Sequence, residues 1–202
     1  VGKLHHFKGY IGILSMLLAV MIMLTACYDD DSKPLNTGSR YFDLEKIANT
    51  VQINLKRSGK SFTKNAILNE VSYSDTINGD EVGSELELLK DFDISKKAWD
   101  GLFEENRRDS GEYSFIVYTA LSPKPHVRLL TVAENTLSGR MNIEGIIRKN
   151  NRIYSMEKQI TTQLKKGKFG YELLHARLQG YQKIILVDSL RFDVLYNLIS
   201  GS

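Results

Sequence analysis

Residues 41–202 predict an α+β domain in which two N-terminal helices pack on a twisted antiparallel meander of six to seven strands. Three observations carry this expectation. Apolar residues between 44 and 55 recur at helical spacing, and a Ser84-x-x-Glu87 capping box opens a second helical stretch. From Tyr113 onward the hydrophobic period becomes two, and the turn residues between segments leave no room for a crossover helix.

The first helix spans 43–56. Phe42 and Ile47 form a hydrophobic staple around the N-cap Asp43, and Leu44, Ile47, Ala48, Val51 and Leu55 make one apolar face that Gly59 terminates. Segments 62–68 and 71–77, parted by Asn69-Glu70, read as a hairpin. The second helix begins at Ser84 and offers Leu86, Leu89 and Phe92 to the core, ending before Ile94. Trp99, the sole tryptophan, sits with Ile94, Ala98, Leu102 and Phe103 where a helix-to-sheet junction needs bulk.

The meander follows as segments 113–120, 126–134, 140–149, 152–164, 168–179 and 182–198. Tyr154, Met156, Ile160, Thr162 and Leu164 share one face, while Glu157, Gln159 and Thr161 line the other, so one side is buried and one wetter. Tyr113 to Tyr118 is apolar on both faces, which suits a central strand. The last segment breaks at Asp188-Ser189, and 190–199 continue as a seventh strand or as a terminal helix. Such a sheet stays open or curls toward a half-barrel.

Ahead of the domain, Lys3 and Lys8 precede a 14-residue apolar run, 11–24, that ends in Thr25 and Ala26. This is the architecture of a secretory signal peptide over 1–26. A membrane span needs about 20 apolar residues, and the acidic residues Asp29, Asp30 and Asp31 follow directly. Cys27 is the only cysteine, so no internal disulfide forms. Residues 27–40 read as a flexible acidic and polar linker.

Leu24-Thr25-Ala26-Cys27 resembles the lipobox of bacterial lipoproteins. The resemblance implies cleavage between Ala26 and Cys27 and more than one acyl chain on Cys27. One chain alone holds only reversibly, at ~0.8 kcal/mol per buried methylene. Asp29, Asp30 and Asp31 resemble the export signal behind the cysteine of Bacteroidetes surface lipoproteins, and a solvated spacer explains them equally well. Tyr41-Phe42-Asp43-Leu44, Asp93-Ile94-Ser95-Lys96-Lys97-Ala98-Trp99 and Tyr118-Thr119-Ala120-Leu121 with Val127-Arg128-Leu129-Leu130-Thr131-Val132 together resemble a group of uncharacterised Bacteroidetes lipoproteins. Lys97 stands where that group usually has proline. The resemblance implies an outer-membrane location, periplasmic or surface-exposed, with lipoprotein-processing enzymes and export machinery as partners, and brings no activity with it.

Composition narrows the remaining possibilities. The formal charge of +3 loses Lys3 and Lys8 with residues 1–26, which contain no acid, and 3 − 2 leaves +1. Nucleic-acid binding by bulk charge is therefore unsupported. His126 and His175, the histidines beyond the leader, have no metal-ligand spacing, and no serine lies in a Gly-x-Ser-x-Gly elbow. Asp91 with Asp93, and Glu104-Glu105 before Arg107-Arg108, read as solvated charge. The expectation is a lipid-anchored envelope protein, structural or binding, with no cofactor, metal or catalytic residue. The alternative is a carrier holding an apolar molecule on the concave face of its sheet, with Trp99, Phe115 and Tyr118 lining the cavity.

Overall fold

Asp43 starts the first helix, α1 (Leu44–Ser58), by accepting the Lys46 amide hydrogen at 2.8 Å. Gly59, with φ 61°, ends it in the left-handed conformation that a Cβ disfavours. The computed structural model describes residues 40–199, and Ser39–Ser202 forms a unit with its own core. The leader, Ala26, Cys27 and Asp29–Asp31 lie outside the described residues.

The first hairpin forms as its pattern predicts. Strands β1 (Ser61–Leu68) and β2 (Val71–Asn78) pair from Ser61↔Asn78 to Leu68↔Val71 around a turn where Asn69 takes φ 53°. The second helix departs from expectation. It begins five residues before Ser84, as α2 (Gly79–Glu85), because the Asn78 side chain accepts the amides of Asp80 and Glu81 at 3.0 Å each. The Ser84 hydroxyl instead donates to the Asp80 carbonyl, one turn back inside the helix. Leu86–Phe92 continues as a 3₁₀ stretch, and Leu86, Leu89 and Phe92, three apart, form the single buried stripe such a helix presents.

Seven strands follow a short 3₁₀ turn at Lys97–Trp99. They are β3 (Phe103–Ser110), β4 (Tyr113–Ala120), β5 (Val127–Asn135), β6 (Arg140–Asn150), β7 (Tyr154–Gly167), β8 (Gly170–Ile184) and β9 (Leu190–Leu198). Residues 190–198 are therefore strand and not helix. All pairings are antiparallel, in the order β2-β1-β9-β8-β7-β6-β5-β4-β3. The sheet is open, with β2 and β3 at its edges. Its nine strands exceed six or seven for two reasons. The N-terminal hairpin joins the meander through β1 and β9, and β3, Phe-Glu-Glu-Asn-Arg-Arg-Asp-Ser, has an edge position whose charge hides any alternation.

The helices cover one face. Phe62, Leu130, Ile143, Ile147, Ile160, Leu164, Leu173 and Ala176 meet Leu44, Ala48, Val51 and Leu55 of α1 and Leu89 and Phe92 of the 3₁₀ stretch in one core. Register shifts at Val127/Leu129 and Gln163/Leu164 reset the alternation so that both halves of these strands keep apolar side chains inward. Gly145 of β6 makes room for Phe92: a Cβ there would lie 2.5 Å from the ring. The α1 axis crosses the sheet diagonally. Tyr41, just before it, meets Phe103 and Tyr118 edge-on at 5.7 and 5.6 Å, and Asn54 donates to the carbonyls of Phe169 and Tyr171 at the β7–β8 turn.

Candidate functional site

The three residues expected to line an apolar cavity do not converge. Tyr118 points to the helix-covered face, buried against Tyr41, with its oxygen accepting the Phe42 amide at 3.1 Å. Burial, reinforced by Glu105, raises its hydroxyl pKa above the ordinary tyrosine value. Phe115, three residues away on the same strand, faces the opposite side, stacked on Tyr113 at 5.9 Å beneath Arg108 at 4.9 Å. Trp99 packs edge-on against His126 at 5.2 Å at the start of β5, the structural plug that its position suggests. Burial and the neighbouring Lys149 lower the His126 pKa from its usual value.

Carboxylates read as solvated turn out to divide. Asp93 is 3% exposed. One of its oxygens accepts the amides of Leu44 at 3.0 Å and Glu45 at 3.3 Å, and the other accepts the Ser95 hydroxyl at 2.8 Å. It thus caps α1 from outside, beside Asp43. No local pattern announces this role, since the partner amides lie 49 and 48 residues away in the chain. Asp91 stays at the surface with Lys158 at 3.7 Å, and Glu105 pairs with Arg107 along the exposed β3 edge. A further polar cluster was not legible at all. Glu85 at the end of α2 accepts a short hydrogen bond from the Tyr196 hydroxyl and holds Lys64 at 2.6 Å, clamping α2 onto β9 and β1. Burial first, and then Glu85, push the Tyr196 hydroxyl far above its ordinary pKa.

An apolar cavity lies at the end of α1. With a volume of about 250 Å³, it opens between the last turn of that helix and the first residues of β8. Leu55 and Leu173 form its floor, Phe169 stands largely exposed at its side, and Lys60 and Glu172, paired at 2.8 Å, sit at its rim with Arg57. Asn54 ties helix to turn across it, so the walls are held in place before any ligand arrives. Such a site accepts a small apolar group with a polar end at the rim. On the uncovered face of the sheet, His175 of β8 hydrogen-bonds Asn197 of β9 through Nδ1 at 2.8 Å, beside Glu144 and Gln163 in an open, polar depression.

Among the described residues, no three His, Cys, Asp or Glu side chains come close enough to hold a metal ion. No helix among them is long and apolar enough to cross a membrane. Comparison with protein-family models, with curated proteins and with solved structures returns no match to this chain.

Proposed function

We propose that this chain is a bacterial envelope lipoprotein, cleaved after Ala26, acylated at Cys27 and held on the outer membrane, whose folded domain acts by binding or as structure. The observation that carries this is the apolar run 11–24 ending in Leu24-Thr25-Ala26-Cys27 behind Lys3 and Lys8. The use of the domain's buried polar groups supports the second half. Asp93 caps a helix, and Glu85, Lys64 and Tyr196 bind one element to two others, so each is engaged in holding the fold. The test is the intact mass of protein extracted from its native membrane, beside a Cys27→Ala variant. The expected mass begins at Cys27 and includes acyl chains, absent in the variant; an uncleaved or unacylated parent overturns the proposal.

The cavity beside α1 favours a second reading, a carrier of a small apolar group. Side chains fill the covered face of the sheet, so the expected concave site moves to the end of α1, where the exposed Phe169 stands beside the buried Leu55 and Leu173. An environment-sensitive apolar dye should bind there and weaken when Phe169→Ala removes one wall. No dye binding, or binding indifferent to that change, removes this reading.

A further inference from the structure

Turns ordinarily carry glycine, asparagine and other polar residues. The β8–β9 connection reads Ile184-Ile185-Leu186-Val187. It closes as a four-residue turn, with the Val187 amide donating to the Ile184 carbonyl at 3.1 Å. Leu186, at its third position, has φ 66°, which such turns normally reserve for glycine or asparagine, and the residue is fully exposed. A leucine therefore occupies the position where it is least suited both to the backbone and to water.

The neighbouring turns extend the same surface. The Ile185 amide donates to the Ile153 carbonyl at 2.9 Å, joining the β6–β7 turn to this one. Asn69 and Arg191 exchange hydrogen bonds at 2.8 and 2.9 Å, joining the β1–β2 turn. Leu68, Val71, Ile153, Ile185 and Val187 are each more than half exposed. Lys149, Arg152, Lys183 and Arg191 surround these tips, all exposed, and none forms an ion pair among the described residues. Glu70 and Asp188 are the acids of the same segments, leaving 4 − 2, a net +2.

We infer that this end of the sheet is a membrane-docking tip, with Leu186 and Ile185 entering an anionic phospholipid surface while Lys149, Arg152, Lys183 and Arg191 meet its headgroups. An apolar apex ringed by unpaired cations is complementary to such a bilayer on both counts. The point where the chain enters the domain agrees. Tyr41 packs at the start of β3 and the end of β4, the same end of the sheet as the β8–β9 turn. The twelve residues between Cys27 and Arg40 reach at most about 40 Å. This last point borrows the proposed anchor; the turn geometry and the charge do not.

The test uses residues 39–202, which contain the whole described core and lack Cys27. Co-sedimentation is measured with phosphatidylcholine vesicles, with and without phosphatidylglycerol. The expected result is partitioning onto phosphatidylglycerol vesicles that weakens with added salt. Leu186→Asn should lower partitioning roughly tenfold or more while keeping or raising the melting temperature, because asparagine tolerates positive φ. The pair Lys183→Glu and Arg191→Glu, made together, should lower partitioning by about 25-fold or more, at about fivefold per cation removed. Absence of partitioning, equal partitioning onto pure phosphatidylcholine, or indifference to Leu186→Asn overturns the inference. Self-association that Leu186→Asn abolishes, without vesicle binding, also overturns it and assigns the tip to a second copy of the chain. An unacylated Cys27 leaves each of these outcomes unchanged, so the two proposals fail separately.

Discussion

Replacing Asp93 by alanine should destabilise the domain far more than its position in a loop suggests. The substitution removes the acceptor for the Leu44 and Glu45 amides and for the Ser95 hydroxyl. Leu44 is fully buried, so its amide loses a partner where water has little access. Hydrogen bonds to a charged group contribute ~1.5–3 kcal/mol each, but these three share one carboxylate and Ser95 can turn to solvent. Helix-cap losses run at about 0.5–2 kcal/mol. Together they place the loss at about 3 kcal/mol. For a domain of this size each kcal/mol moves the melting temperature by about 2–4 °C, so a fall of roughly 6–12 °C is expected. The assay is thermal unfolding of residues 39–202 followed by circular dichroism. Asp43→Ala, which removes the exposed cap of the same helix, should cost about 1 kcal/mol. Asp93→Ala melting within about 2 °C of the parent, on the same scale, or no lower than Asp43→Ala, would refute the capping argument.

Other consequences follow from burial and charge. The Thr162 hydroxyl is fully buried without a hydrogen-bond partner among the described residues; Thr162→Val should therefore stabilise by about 1 kcal/mol, read from denaturant midpoints. Gly145→Ala should lower stability by about 1–3 kcal/mol by displacing Phe92, and an unchanged midpoint would contradict the close approach. Acidification should destabilise the domain in two stages. Burial and Lys149 depress His126, so in the fold it stays neutral below pH 6.5, where the unfolded chain takes up a proton, and its contribution is lost as pH falls through the folded value. Asp193 is held low by the Arg177 hydrogen bond; Glu157, which burial raises, is brought low by hydrogen bonds from Gln159 and Arg148. Their stabilisation is present above the ordinary carboxylate range and disappears as pH falls below it. Both pairs are partly exposed, so the carboxylate stage should amount to no more than about 1 kcal/mol. Melting temperature measured from neutral to acid pH should fall, and Arg177→Ala should flatten the lower stage; a rise on acidification contradicts the signs.

Local signals made much of the fold legible. Asp43, the stripe from Leu44 to Leu55 and Gly59 bound α1 within two residues, and the spacing of Phe62–Leu68 and Val71–Ile77 located the first hairpin. Three features escaped, the first being the break between segments 168–179 and 182–198: β8 runs from Gly170 to Ile184 straight through it, so the last segment is divided between β8 and β9. The capping box at Ser84 competed with Asn78, and the side chain six residues upstream took the cap because two amides were within its reach. Strand β3 carries its information in backbone hydrogen bonds to β4, to which a charged edge sequence gives no clue.

By itself the chain determined the α+β class, an antiparallel meander in the C-terminal half and the inward face of β7. All of these depend on residues close together in sequence, through capping, alternation and turn chemistry. Tertiary structure alone decided that β1 joins β9, that Asp93 serves a helix 49 residues away, that Phe115 and Tyr118 face opposite sides, and that three separate turns meet in one apolar, basic tip. Those relations come from register and closure across long separations, where a side chain's role is set by the elements that fold against it and not by its neighbours in the chain.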